Sequence, residues 1–151
     1  MLSAIRKNVF AEFKKSDIHW AFLSIFDKNN NLLMSNGSIM TDKNLNSFIE
    51  TLYKWTMQEH EKKIDLVVCD IVTDINQETD MQKIISTDMS EFGVFIWTID
   101  STASGVILPN TEGIADMKQA LSILRKKHSW ITGNINVSLF KTRRIVCYKN
   151  D

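Results

Sequence analysis

An apolar run near the middle of the chain, IDLVVCDIVT at residues 64–73, constrains the fold more than any other segment. The run is rich in branched aliphatic side chains, and it is the most strand-like stretch of the sequence. A continuous apolar run of this kind is typical of a strand that is buried in a sheet. We therefore expect a sheet in which this strand lies centrally.

Shorter runs of aromatic and branched residues predict the neighbouring strands. In chain order, they are expected at residues 19–26, 32–35, 92–99, 105–108 and 134–148. The Asp- and Asn-rich segment 27–31 is typical of a turn, which would join the first two strands as a hairpin. In the last strand the alternation of apolar and polar residues fails at residues 141–144, where a bulge or tight turn is predicted.

Apolar residues recur at helical spacing in three other segments. Helices are predicted over residues 1–15, from Thr41 or Asp42 to about His60, and from Thr111 to His128. Residues 74–91 are polar around a short apolar centre, which predicts a loop with one or two helical turns. Because helices and strands interleave irregularly, we predict a single α+β domain over residues 1–151, with a largely antiparallel sheet flanked by three helices.

Composition and charge exclude several classes of protein. The apolar share of 44% and the charged share of 24% are those of a globular protein, not of a disordered or collagen-like chain. The formal net charge is zero, so no overall field attracts the chain to nucleic acid or to a membrane. No signal peptide and no apolar run of membrane-spanning length is visible. These features predict a cytoplasmic location and no membrane partner.

Motifs for cofactors and metals are missing from the sequence. It contains no GxGxxG, GxxxxGK[ST], HExxH or GxSxG pattern. Cys69 and Cys147 lack the spacing of a zinc or redox pair, and Cys69 is expected to be an inert core thiol. The turn at residues 27–31 imitates the start of a calcium loop, but Leu32 and Ser38 occupy positions that need Gly and Glu. We therefore predict no cofactor and no metal.

The three histidines, His19, His60 and His128, show no ligand spacing. His60 and His128 are expected at helix C-termini, where a cationic side chain is favoured by the helix dipole. A structural role is therefore the preferred interpretation for both, and a metal or catalytic role would require clustering that the sequence does not indicate.

Charge is unevenly distributed along the chain. Residues 64–117 contain ten acidic side chains and one basic, whereas residues 118–149 contain eight basic and none acidic. One interpretation is a basic face that binds phosphate or nucleic acid. The alternative, which we favour because aromatic residues are not interleaved, is that the basic segment folds beside the acidic one. The anion-binding candidates are Arg125, Lys126, Lys127, Arg143 and Arg144.

The segment EFGVFIWTIDSTASGVILP, residues 91–109, followed by a predicted helix, resembles the AMME-syndrome chromosomal-region protein family. This family is protein A of the Amme-Memo-radical-SAM system. Residues 21–39 and 63–75 are similar to the family's signature hairpin and its next central strand. The resemblance covers most of the chain as a pattern of apolar runs, and it implies two unequal sub-units around a cleft.

The sequence departs from the family at its signature, Leu-Arg-Gly-Cys-Ile-Gly. When its last glycine is placed on Gly37, only that glycine and Leu32 agree; the arginine becomes Leu33 and the cysteine becomes Ser35. The resemblance therefore implies a chain without the signature thiol and its cationic neighbour. The signature-hairpin candidates for a site are Leu32, Ser35, Asn36, Gly37 and Ser38.

These observations lead to three functional hypotheses. The first is a non-catalytic binding or accessory module, for which a protein partner or a small ligand is favoured over nucleic acid. The second is an enzyme associated with radical-SAM chemistry, with Ser35 as a nucleophile and His19 or Asp17 nearby. The third is phosphate or nucleic-acid binding through the basic C-terminal third. No residue is assigned a catalytic role from the sequence alone.

Overall fold

The computed structural model describes residues 1–57, 59–127 and 134–150. Over these residues the chain forms four helices and six strands: α1 (Leu2–Val9), β1 (Ala21–Phe26), β2 (Leu32–Ser38), α2 (Leu45–Met57), β3 (Leu66–Glu78), α3 (Met81–Ile85), β4 (Gly93–Thr98), β5 (Ser104–Ile107), α4 (Met117–Lys127) and β6 (Ile135–Tyr148). The strands form an antiparallel sheet in the order β2-β1-β3-β6-β4-β5. The predicted α+β class and the largely antiparallel sheet are confirmed.

Two compact units make up the chain. The first contains Met1–Val72 and the C-terminal residues from Arg143, and the second contains Thr73–Thr142. Strands β3 and β6 are the two longest, and each contributes one part to the first unit and the other part to the second. The sheet of the first unit therefore has the order β2-β1-β3-β6, and that of the second has β3-β6-β4-β5.

The core of the first unit lies between one face of its sheet and the helices α1 and α2. Alternate residues of the strands point into this core, because successive side chains of a strand project to opposite faces. The core includes side chains from both helices and from β1, β3 and β6: Ile5, Val9, Leu23, Ile25, Leu45, Phe48, Leu52, Val67, Cys69, Ile145 and Cys147. Burial of these large apolar groups is the main force that holds the unit together.

The second unit has a separate core, to which α3 and α4 contribute. It is formed by residues from those helices and from the strands: Ile84, Met89, Val94, Ile96, Ala103, Ile107, Met117, Ala120, Leu124 and Val137. The Asp80 carboxylate accepts a hydrogen bond from the Gln82 amide at 2.9 Å and begins α3. The Asp116 carboxylate accepts one from the Gln119 amide at 2.8 Å and begins α4 in the same way.

Several predicted boundaries were wrong for identifiable physical reasons. The second helix begins at Leu45, because Asn44 accepts the Ser47 amide at 2.9 Å, and not at Thr41 or Asp42. The fourth begins after Asp116 and not at Thr111, whose hydroxyl instead donates to the Leu108 carbonyl at 2.7 Å. The first helix ends at Val9, well short of residue 15.

The strand predictions need three corrections. Strand β2 extends to Ser38, past the predicted end at residue 35. Strand β3 continues through residues 74–78, which were predicted to be a loop. Strand β6 continues without interruption through residues 141–144, where a bulge or turn was predicted. His128, the expected end of the last helix, lies outside the described residues.

Candidate binding face of the first unit

The sheet of the first unit has a second face, opposite the face that packs on α1 and α2. Pairings of β1 with β2 and β3 fix which residues share it. The register of β6 against β3 follows from two contacts: the Lys149 amide donates to the Asp65 carbonyl at 2.8 Å, and Arg144 is bonded to Asp70. Three rows of side chains cross this face: Gly37, Phe22, Asp70 and Arg144; Ser35, Ser24, Val68 and Val146; and Leu32, Phe26, Leu66 and Tyr148.

The first row contains an ion pair that is buried on its carboxylate side. Arg144 donates to Asp70 from Nε at 2.9 Å and from an Nη at 3.1 Å, so the guanidinium and carboxylate meet as a bidentate pair. Asp70 is 1% exposed, whereas the arginine side chain is half-exposed. The hydrogen bonds to Asp70 raise the pKa of Arg144 above its ordinary value, despite the opposing effect of burial.

The second row joins two hydroxyl groups. Ser24 Oγ and Ser35 Oγ lie 2.9 Å apart on directly opposed residues of β1 and β2. The nearest carboxylate on this face is that of Asp70, in the first row. Asp70 lies two strands from Ser35 across the sheet and two residues further along the strand direction, so their Cα atoms are about 12 Å apart. A serine nucleophile needs a base within about 3 Å, or through one water. The group at hydrogen-bond distance from Ser35 Oγ is instead the hydroxyl of Ser24, which is neutral.

His19 and Asp17, the predicted partners of Ser35, have other contacts. The His19 Nδ1–H donates to the Val72 carbonyl at 2.9 Å, and its ring packs edge-on against Phe13. The Asp17 carboxylate accepts the Lys14 amide at 3.3 Å, and its carbonyl accepts the Leu45 amide. Both residues therefore anchor the segment between α1 and β1. Ser35, in contrast, lies on β2 and is paired with Ser24, five residues after His19 in the sequence.

The third row is apolar and open. Leu32 is 57% exposed, Tyr148 is 52% exposed, and Val146 of the second row is 40% exposed. Phe26 and Leu66 lie between Leu32 and Tyr148 in the row and are half-buried. Neighbouring side chains on one face of a sheet are about 4.5–5.5 Å apart, so these residues form a continuous surface. We call Leu32, Phe26, Leu66, Val146 and Tyr148 the apolar patch.

Alternation along β2 divides the signature-hairpin candidates between the two faces. Leu32, Ser35 and Gly37 lie on the second face, with the apolar patch beginning at Leu32. Asn36 is paired with the core residue Leu23, and its side-chain oxygen accepts the Gly37 amide at 3.0 Å. Ser38 ends the strand, where its hydroxyl donates to the Met40 carbonyl at 2.7 Å.

The anion-binding candidates belong to different units and differ in their partners. Arg143 donates to both carboxylate oxygens of Glu12, at 2.6 and 2.9 Å, and Arg144 is held by Asp70. The hydrogen bond lowers the pKa of Glu12 and raises that of Arg143. The other candidates are exposed at the C-terminal end of α4 and have no carboxylate partner among the residues that the structure describes: Arg125, Lys126 and Lys127.

The remaining features that could form a binding site are a groove or a cluster of metal-ligating side chains. A shallow groove of about 390 Å³ is lined by Tyr53, Lys54, Met57 and Glu61. Within residues 1–57, 59–127 and 134–150, no group of three or more His, Cys, Asp or Glu side chains is arranged to hold a metal ion. No helix in the same ranges has the length and apolar character needed to cross a membrane.

Sequence reasoning found Leu32 but missed the rest of the apolar patch. Val146 and Tyr148 were overlooked because the charged residues 141–144 indicated a turn. In fact β6 alternates from Arg144 to Tyr148, with Ile145 and Cys147 in the core and Val146 outside it. That alternation is visible in the sequence once the strand is known to continue.

Comparison with known proteins identifies a similar fold. No protein-family model matches the chain, and no curated protein matches it either. Among solved structures, the "Uncharacterized Protein PH0010 From Pyrococcus horikoshii" is similar, with a TM-score of 0.71 and 13% sequence identity. The match covers 96% of this chain and 86% of that one. At this identity the likeness concerns the fold alone.

Proposed function

We propose that this chain is a non-catalytic binding module, similar to the AMME-region protein family, and that it binds a protein partner through the apolar patch. The observation that carries the proposal is the exposure of Leu32, Val146 and Tyr148 on one sheet face, with the half-buried Phe26 and Leu66 between Leu32 and Tyr148. Single exposed apolar residues are common on protein surfaces, but contiguous ones mark interaction sites.

Polar groups border the patch, as at protein interfaces with an apolar centre and a polar rim. Asp27 follows Phe26, Asp65 precedes Leu66, and Lys149 follows Tyr148 along the chain. The Asp27 carboxylate accepts the amides of Asn29 and Asn31 at 2.8 and 2.9 Å, which makes the adjoining turn rigid. A preformed surface of this kind loses little conformational entropy when a partner binds.

The contacts of β2 support a non-catalytic role. Ser35, at the position of the family's cysteine, is bonded to another hydroxyl and not to a base. Leu33, at the position of the family's arginine, packs against the core of the first unit. Neither residue can therefore supply the thiolate or the cation of the signature, and a binding role explains the remaining surface better than a serine nucleophile does.

A photo-crosslinking amino acid at position 148 tests the proposal in the native host. We expect a crosslink to a defined protein that is lost when Val146→Glu is added to the same chain, because a charge in the patch must be desolvated on binding. The matched control places the crosslinker at Trp55 on α2, which is 60% exposed in the same unit but outside the patch. The same product from both positions, or from none, would contradict the proposal.

The basic end of α4 favours a second candidate function, binding of phosphate or nucleic acid. Arg125, Lys126 and Lys127 are exposed and lie in the last turn of the helix. Such binding would weaken by roughly tenfold or more between ~50 and ~200 mM salt if several phosphates are contacted. Fluorescence anisotropy with a labelled oligonucleotide, compared with the triple alanine variant, measures this. Salt-independent or undetectable binding would exclude the candidate.

A further inference from the structure

Strand β2 is at one end of the strand order, so within residues 1–57, 59–127 and 134–150 no strand pairs with the outer side of its backbone. The Gly37 amide indicates which residues face this open side. It donates to the Asn36 side chain at 3.0 Å, which it can do only if it points away from β1. Because backbone groups alternate in direction along a strand, the N–H and C=O of Ser35 also point outward.

The short Ser24–Ser35 contact agrees with this direction. Side chains are closest in those antiparallel pairs that do not exchange backbone hydrogen bonds, and the two hydroxyl oxygens are 2.9 Å apart. No described residue supplies a hydrogen-bond partner to the outward backbone of Ser35. The backbone edge centred on Ser35 is therefore available for pairing.

This edge has few of the protections that edge strands normally carry. Lys, Pro and inward-pointing charges usually prevent an edge from pairing with another chain. Residues 32–38 (LLMSNGS) contain no charged residue and no proline. The irregularity opposite Ile25 and Phe26 affects only the start of the strand, so the part from Met34 to Ser38 keeps a regular register with β1.

We propose that the β2 edge pairs with the β2 edge of a second copy of this chain, antiparallel and about a two-fold axis at Ser35. In this register Ser35 lies opposite Ser35 of the second copy, and Leu33 lies opposite Gly37. The backbone N–H and C=O of Ser35 point outward, so at the axis those of one copy face those of the other.

A second copy is the occupant that the charges favour. A strand without charge does not repel itself, and the formal net charge of zero gives no long-range repulsion between copies. An isologous pair also needs a self-complementary surface, which a strand centred on one residue provides. A single pair of edge strands buries less than the ~1,200 Å² of a stable interface, so we expect weak, concentration-dependent association.

Variants at Ser35 test the pairing by sedimentation velocity over a series of protein concentrations. Ser35→Pro removes the outward amide at the two-fold axis, in a position where an edge strand tolerates proline. We expect this variant to remain a monomer at concentrations at which the wild type forms a dimer. Ser35→Ala is the matched control, because it also loses the hydroxyl bond to Ser24 but keeps the amide, and it should form the dimer.

Charge variants keep the test decisive if Ser35→Pro does not fold. Ser35→Lys and Ser35→Glu each place like charges opposite one another and should each weaken association by about fivefold, whereas an equimolar mixture should restore it. A wild type that stays monomeric throughout would overturn the proposal, as would a dimer that survives every variant. The apolar patch shares only Leu32 with β2, and the crosslinker at position 148 lies on β6, at the other end of the patch, so the two tests can fail separately.

Discussion

The ring of Phe22 lies against Gly37 on the neighbouring strand, in the space that a side chain at that position would occupy. A Cβ atom at Gly37 would clash with this ring and would lie 2.5 Å from the Ala21 carbonyl oxygen. The second unit contains the same arrangement, in which the ring of Phe140 occupies the space beside Gly93. In each unit a glycine therefore lets an aromatic ring lie close to the backbone of the adjacent strand.

We expect Gly37→Ala to lower the free energy of unfolding by about 1–3 kcal/mol, because the ring and the strand must move apart. Gly93→Ala should have a similar effect, since a Cβ there would meet the Phe140 ring and the Ile107 carbonyl oxygen. Urea unfolding monitored by circular dichroism measures both. Ser35→Ala on the exposed part of β2 is the control, and an equal loss in that variant would show that the glycine contact is not the cause.

The two adjacent arginines of β6 should differ in their effect on stability. Arg144→Met leaves the buried Asp70 carboxylate without its bidentate partner, and we expect a loss of about 3 kcal/mol. Arg143→Met breaks a pair in which both side chains are exposed to solvent, and we expect a much smaller loss. Chemical denaturation of the two variants at neutral pH tests this order. Equal losses of unfolding free energy would mean that the burial of Asp70 does not make the Arg144 pair more important for stability than the Arg143 pair.

Glu12 should contribute to the pH dependence of stability in acid. Its hydrogen bond to Arg143 lowers its pKa in the folded protein below the ordinary value of 4.5. Its contribution is therefore present above that value and is lost as the pH falls through the lowered pKa. Glu12→Gln should make stability fall less steeply as the pH is lowered below 4.5, and unfolding midpoints at a series of acid pH values measure the slope. An unchanged slope would contradict the assignment.

Tyr53 should titrate above its ordinary value of 10.0. Burial is the main reason that its pKa is raised, and the Glu61 carboxylate, 3.5 Å from the phenol oxygen, is the second. Glu61→Gln should lower the midpoint without restoring the ordinary value, because burial remains. The chain has two tyrosines, so ultraviolet titration of the phenolate in a Tyr148→Phe background isolates Tyr53. If the titration midpoint of Tyr53 is the same in Glu61→Gln, then Glu61 does not contribute to the raised pKa of Tyr53.

The thiols of Cys69 and Cys147 should be unreactive while the chain is folded. Cys69 and Cys147 are fully buried, and burial followed by the nearby Asp70 raises the pKa of the Cys69 thiol. Because the thiolate is the reactive form, a thiol reagent at neutral pH should modify both residues only as fast as the chain unfolds. Arg144→Met should accelerate the reaction by destabilising the fold. Rapid labelling of the native wild type would contradict this prediction.

The sequence predicted the fold class because long apolar runs report burial directly. The run at residues 64–73 is the start of β3, and it pairs with β1 as expected of a central strand. Residues 74–78 and 141–144 were missed because most of their side chains are polar, although backbone pairing holds them in strands. In β6, Arg143 and Arg144 project to opposite faces and meet Glu12 and Asp70. Such pairing across the sheet leaves no signal in local hydropathy.

The candidate site was predicted in part for the same reason. Leu32 and Ser35 were found through the family resemblance, but two of the four residues in each of their rows come from β3 and β6, more than thirty positions away. Tyr148 joins Leu32 only through two intervening strands. A single sequence gives the spacing within each strand, whereas the register between strands depends on tertiary packing.

The division of the chain into units has a consequence for the order of folding during synthesis. Residues 73–142 are contiguous, so the second unit is complete as a segment before the ribosome has made the rest of β6. The first unit must wait for residues from Arg143 onward, which bring Arg144 to Asp70 and Ile145 and Cys147 to its core. Until then its outermost strand is missing and β3 is an open edge. The segment translated first is thus the last to be completed.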